Sequence, residues 1–445
     1  MVAPVELRAV KTAAPTAARE PFDHSSGGES AGRADRSALS RCIDLPGEEF
    51  AERYWGQQAL FTPARPGRAP FTDLLDAHAV DQLVSRHGLR TPFLRMAKGG
   101  TVVPSRNFTR SGGTGAGIAD QVADDKVLRA LADGTTLVLQ ALHRTWPPLI
   151  HFATALAAEL GHPVQINAYI TPPQSQGFAA HYDNHDVFVL QVAGRKRWRI
   201  HSPVLRDPLP EQKWEQRKDE VEARSAEPPL IETVLEPGDA LYLPRGFLHA
   251  AEALQELTIH LTVGVHPITR AALLRHLLTA VTVATDDPTL RQSLPMGRDL
   301  ADRDVLGPHV ERTARVLAGV LLDLARPHLD AVADAVGAEL AADTRPEPIS
   351  PLAQGTLAAI LDDRTRLRVR SGLRYRLDED HDELRLRVVD RVIALPVAAA
   401  SAVKVVLDDE PFTPVELPGL DPAQRLALVR RLLGEGVVVP ADDPA

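Results

Sequence analysis

Between Val164 and Val263 the sequence breaks into short segments of strand character, and that run leaves few folds open. Gln165-Ile-Asn-Ala-Tyr-Ile-Thr171, His185-Asp-Val-Phe-Val-Leu-Gln-Val192 and Lys196-Arg-Trp-Arg-Ile200 come first. Ile231-Glu-Thr-Val-Leu235, Ala240-Leu-Tyr-Leu243 and Leu257-Thr-Ile-His-Leu-Thr-Val263 follow. All are rich in β-branched and aromatic residues, with turn residues such as Gly194 and Pro237-Gly238 between them. Many short strands at regular spacing predict a sandwich or barrel of the jelly-roll kind.

The flanks differ in period. Residues 1–40 are rich in Ala, Pro, Ser, Gly and charge and read as a disordered tail, with order expected from near Leu45. Phe50, Tyr54 and Trp55 recur at helical spacing, Leu60-Phe-Thr and Phe93-Leu-Arg-Met read as strands, and Thr72 to Ala79 reads as a short helix. The glycine-rich stretch 111–117 lacks the Lys-Ser/Thr of a phosphate-binding loop and reads as a flexible loop. A helix is expected over Pro148 to Leu160. After the strands, apolar stripes such as Leu273, Leu274, Leu277, Leu278 and Val281 predict a helical unit over 268–345, which could pair with a second copy. From 351 the order helix, paired strands, helix, strand resembles a winged helix. The pattern therefore divides into a tail (1–40), a β-rich unit with its N-terminal elaboration (41–267), a helical unit (268–345) and a winged-helix-like unit (346–445).

The chemistry concentrates in two motifs. Gly177-Phe-Ala-Ala-His181-Tyr-Asp183 carries a His-x-Asp pair, and His249 closes Gly238-x5-Pro244-x-Gly246-x2-His249, which matches the second cupin motif in spacing. Residues i and i+2 of a strand face the same side, so His181 and Asp183 can share one ion, and His249 can return on a neighbouring strand. Two imidazoles and one carboxylate, with other positions open, suit non-haem Fe(II) that activates O₂. The expectation is an oxygenase with His181, Asp183 and His249 as metal ligands. A fourth ligand would close a position that O₂ needs, so His185, Asp186 and His260 are read as supporting or local hydrogen-bonding residues.

The stretch from Gln165 through His181, Asp183 and Gly194-Arg-Lys196-Arg-Trp198 looks like the heart of a JmjC-type 2-oxoglutarate oxygenase. More narrowly it resembles the ribosomal oxygenases, which hydroxylate arginine or histidine side chains of ribosomal proteins. Trp146-Pro-Pro-Leu149 and Tyr54-Trp55 also fit. The resemblance implies a mixed α+β chain with a double-stranded β-helix core. It implies that Lys196 pairs with the distal carboxylate of 2-oxoglutarate, that Tyr169 donates a hydroxyl to it, and that Asn167 makes a polar contact near it. Thr262 could also line that pocket. The implied activity is an Fe(II)- and 2-oxoglutarate-dependent dioxygenase acting on a protein side chain, first of all in a ribosomal protein. Two alternatives stay open: the same chemistry on a small molecule or biosynthetic peptide, and a metal-binding cupin without oxidative activity.

Composition narrows the partners. The chain of 445 residues has a net charge of -9, so no global basic field draws it to nucleic acid or anionic membrane. Residues 351–445 hold 13 Arg plus Lys against 16 Asp plus Glu, so no basic face for DNA is expected from the winged-helix-like unit. No apolar run approaches the roughly 18 residues of a membrane span, and no secretory signal is read at the N-terminus. Cys42 is the only cysteine, which excludes an intramolecular disulfide. A cytoplasmic protein is expected, dimeric through its helical unit.

Overall fold

The computed structural model describes residues 37–441, apart from 66–69, 116, 176–178, 285–287, 297, 323–328, 381, 389–390 and 409. Most of the expected N-terminal tail, and Gly177 and Phe178 of the first motif, lie outside these residues.

Two sheets form the centre. The larger has eight antiparallel strands, in the order Leu60–Thr62, Ala240–Leu243, Asp186–Ala193, Thr258–Val265, Val164–Thr171, Thr136–Leu139, Leu94–Lys98 and Thr101–Val102. The smaller sets Lys196–His201 between Ile231–Leu235 and Leu248–Ala253. Every strand expected between 164 and 265 is present, with ends moved by a residue or two. Sequence reading missed Thr136–Leu139 and Leu248–Ala253.

Alternation along the strands decides what faces where. In Val164–Thr171, Ile166, Ala168 and Ile170 turn outward onto a core shared with Phe50, Leu83, Leu149 and Leu156 of the covering helices. Asn167, Tyr169 and Thr171 therefore turn the other way. Asp186–Ala193 sends Phe188, Leu190 and Val192 to that same outer core. Its Val187 and Val189 meet Trp198, Ile200 and Leu235 of the smaller sheet. The middle of the larger sheet is thus buried on both faces, which explains its nearly unbroken apolar strand.

The N-terminal flank departs from expectation in two places. Order begins by Ser37, not near Leu45. Ala38, Cys42 and Ile43 are buried in the main core, and Glu159 accepts hydrogen bonds from Ser37 Oγ, Ala38 N and Leu39 N. The helix expected from Thr72 starts at Ala77 and runs to Arg86, because Asp76 caps it by accepting from Ala79 N. A single 3-10 turn, Phe71–Asp73, precedes it.

After the sheets come, among the described residues, four helices, Arg270–Ala284, Pro288–Arg291, Arg303–Leu322 and Leu329–Asp343. The last part, from Pro351, has three main helices: Pro351–Ile360, Ala400–Val406 and Pro422–Gly434. It also carries a three-stranded meander of Tyr375–Glu379, Glu383–Val388 and Arg391–Pro396, around an apolar cluster of its own. Among the described residues no helix is long and apolar enough to cross a membrane.

Candidate metal centre and cosubstrate cavity

His181, Asp183 and His249 converge, with one ligand atom from each within 4.8 Å of the others. His181 and Asp183 are not carried on one continuous strand, as the i, i+2 argument assumed, while His249 does return on a neighbouring strand, Leu248–Ala253. His181 makes a single antiparallel bridge to His249, exchanging backbone hydrogen bonds of 3.2 and 2.9 Å. Asp183 lies beyond it, before the strand that opens at Asp186. Its backbone carbonyl accepts from Gly246 N, which ties the first motif to the second.

Each imidazole is oriented from behind. His181 Nδ1 sits 2.8 Å from the Ala179 carbonyl and His249 Nδ1 3.1 Å from that of Phe247. A carbonyl only accepts, so both Nδ1 atoms carry a proton, and in the neutral ring that leaves the Nε2 lone pair for a metal. His249 Nε2 is 3.7 Å from Asp183 Oδ2. Burial, helped by His181, lowers the His249 pKa to about 4, so it stays a neutral donor at physiological pH. Burial opposes ionisation of Asp183, but His185, His249, His181 and Arg95 outweigh it and hold the carboxyl below its ordinary range. Two neutral nitrogen donors and one carboxylate fit a divalent first-row metal.

The triad lines a cavity of about 350 Å³. Lys196, only 3% exposed, lines the same cavity. Its Nζ donates to Thr171 Oγ1 at 3.1 Å, and no carboxylate pairs with it among the described residues. Burial alone lowers its pKa to about 7. A buried cation without an anion is costly, and an entering carboxylate removes that cost. Tyr169 and Thr262 line the same cavity. Asn167 does not. Its Oδ1 accepts from Ala141 N at 3.0 Å and holds a left-handed turn there, and the residue borders a neighbouring cavity that Asp183 and Tyr169 also line.

Sequence reading missed Arg95 and Thr171. Arg95 lies on Leu94–Lys98 and lines both cavities, with Nη2 3.5 Å from Tyr169 Oη. Its signal was an arginine alternating with Leu94 and Met96, which are fully buried. His185 stacks on His266, centroids 4.8 Å apart, outside the triad. Asp186 is a local partner, as expected, and accepts from Tyr242 Oη and Arg245 N, both at 2.9 Å.

Residues 144–273 match the family model described as JmjC domain. This stretch is similar to a JmjC domain. Ribosomal oxygenase 1 of Rattus norvegicus is 43% identical over 121 residues, covering 27% of this chain and 20% of that protein. The bifunctional lysine-specific demethylase and histidyl-hydroxylase NO66 of Aedes aegypti is 31% identical over 232 residues, 50% of this chain and 33% of its own length. The chain thus spans a third or less of these relatives. Among solved structures, Escherichia coli YcfD, a ribosomal oxygenase in complex with cobalt and 2-oxoglutarate, superposes with a TM-score of 0.50. It is 18% identical, and the match covers 89% of this chain and 99% of that one, a likeness of fold. The matched stretch holds all three triad residues and Lys196, while Arg95 and Thr136 reach the cavity from strands before it.

Proposed function

We propose that the protein is an Fe(II)- and 2-oxoglutarate-dependent oxygenase that hydroxylates a protein side chain, with a ribosomal protein as the first substrate to test. The observation that carries this is Lys196, a buried lysine with no carboxylate partner among the described residues, in the same cavity as an oriented His-Asp-His set. A cupin that only stores a metal has no need of that lysine. The names of the relatives favour a ribosomal substrate over a small molecule.

On this reading His181 and His249 hold iron(II) through Nε2 and Asp183 through its carboxylate. Iron(II) with 2-oxoglutarate and O₂ supplies oxidative decarboxylation, giving succinate, CO₂ and the oxidant for a C–H bond. The protein's part is position and exclusion. Thr171 fixes Lys196 Nζ, Lys196 and Tyr169 hold the far carboxylate, and Val187, Val189 and Leu243 keep the wall between them dry. Thr262 borders the same space. The reading also includes a cytoplasmic location and a dimer formed through the helices of 268–345.

Anaerobic titration of the apoprotein with Fe(II) and 2-oxoglutarate tests the site. A visible charge-transfer band is expected in the wild type, absent in His181→Ala and weakened in Lys196→Ala. A folded, iron-loaded protein that gives no band would overturn the oxygenase reading. With the band in hand, an added oxygen on a ribosomal protein, read by mass spectrometry, tests the substrate.

A further inference from the structure

His260 stands in the cavity without a task in the scheme above. It is 3% exposed, and neither ring nitrogen makes a hydrogen bond among the described residues. Nδ1 is fully enclosed and has no partner. A neutral imidazole carries one N–H and one lone pair; leaving the enclosed Nδ1 unsatisfied costs about 1–3 kcal/mol, and Nε2, which is not fully enclosed, is the nitrogen that can meet a molecule in the cavity. Such groups in a native interior call for a reason.

Three features hold the ring in place. It lies flat against Tyr169, centroids 5.0 Å apart and planes at 8°, and edge-on to Trp198 at 5.5 Å and 87°. The strand Thr258–Val265 breaks register with Asp186–Ala193 between Ile259 and His260. Irregularities of this kind re-aim a side chain beside a site. The ring also borders the space bordered by Lys196. Burial and that lysine keep it unprotonated, so it offers a neutral N–H and no second charge.

We propose that His260, protonated on Nε2, donates a hydrogen bond from that nitrogen to the carboxylate that Lys196 pairs with, so that the far end of a 2-oxo dicarboxylate is gripped by one charged and one neutral donor. The assignment rests on the oxygenase reading of the cavity. It makes His260 a selectivity residue: it distinguishes 2-oxo acids that carry a distal carboxylate from those that do not. The alternative, a ring that only fills space against Tyr169 and Trp198, is indifferent to that carboxylate.

The test is calorimetric, on full-length protein loaded with Mn(II), titrated with 2-oxoglutarate and with 2-oxobutyrate, which lacks the distal carboxylate. The wild type should prefer 2-oxoglutarate strongly. His260→Phe keeps the packing and should lose about tenfold of that preference, with Mn(II) affinity unchanged, while His260→Gln restores part of it. His260→Phe with undiminished preference overturns the proposal, and so does a loss shared equally by both acids. Lys196→Met separates the two readings. If wild type and Lys196→Met bind both acids alike, the oxygenase reading itself has failed. If only His260→Phe is without effect, that reading stands and the role of His260 falls.

Discussion

Lys196 shows how one residue can couple the site to pH. Its pKa stands at about 7 in the free protein, well below the ordinary 10.5, because burial strips the ammonium of water. A bound dicarboxylate stabilises the charged form and raises that value. Below pH 7 the lysine is already protonated and affinity should be flat. Above pH 7 binding must take up a proton, so the Kd for 2-oxoglutarate should weaken by up to about tenfold per pH unit until the pKa of the complex is reached. Calorimetry in two buffers of different ionisation enthalpy reads the proton uptake directly. An arginine stays charged throughout, so Lys196→Arg should flatten the profile. A pH-independent Kd in the wild type would mean that Lys196 does not meet the carboxylate. The fold shares this linkage with opposite sign: the unfolded chain holds the proton between pH 7 and 10.5, so this group makes the ligand-free protein more stable as pH rises through that window.

Lys196 reaches the cavity because of the turn that precedes its strand. Gly194 joins Asp186–Ala193 to Lys196–His201 at φ +64°, and a Cβ there would lie 2.3 Å from the Leu257 carbonyl oxygen. Gly161, which ends the helix Pro147–Leu160, has φ +70° but nothing within 4 Å of a Cβ. Gly161→Ala should therefore cost only the left-handed backbone penalty, about 1–2 kcal/mol. Gly194→Ala adds a clash with backbone and should lower the melting temperature clearly further, with 2-oxoglutarate affinity falling alongside. Equal melting temperatures would show that the Leu257 segment yields freely. The same elements explain what could be read in advance. His181, Asp183 and His249 stand at motif spacing among turn glycines, so spacing exposes them, whereas Lys196 is named only through the family resemblance. Arg95 and Thr171 join the cavity through pairings of Leu94–Lys98 with Thr136–Leu139, and of that strand with Val164–Thr171. The alternation around Arg95 marks a strand position, but which cavity it faces is decided by long-range pairing that the local sequence does not show. His260 was legible as a residue but not as a cavity wall, because a register break decides where it points. The order of Ser37 to Leu39, ahead of the expected Leu45, depends on Glu159, 122 positions from Ser37.

At the scale of the whole molecule, the parts differ in how much core they own. The β-rich unit and the unit from Pro351 each enclose a large apolar cluster. The helices between them do not. Among the described residues of 270–343, only Ala272, Val281 and Val332 are buried apolar side chains, while Leu273, Leu274, Val310 and Leu329 are exposed. A helix stripe left to water contributes little, since stability comes from packing the apolar face. A second copy laid against these helices would supply that packing, and a two-fold pair is the commonest form. Sedimentation equilibrium should then give the mass of two chains. Leu273→Asp with Leu274→Asp should give a folded single chain, because charge on both sides of the two-fold repels. That variant should keep its charge-transfer band with Fe(II) and 2-oxoglutarate, since every residue assigned to the site lies between Arg95 and Thr262 of one chain. A wild-type protein of single-chain mass would remove the dimer and leave the exposed leucines to another partner. A lost band in the folded variant would mean that the cavity borrows its shape from the second copy.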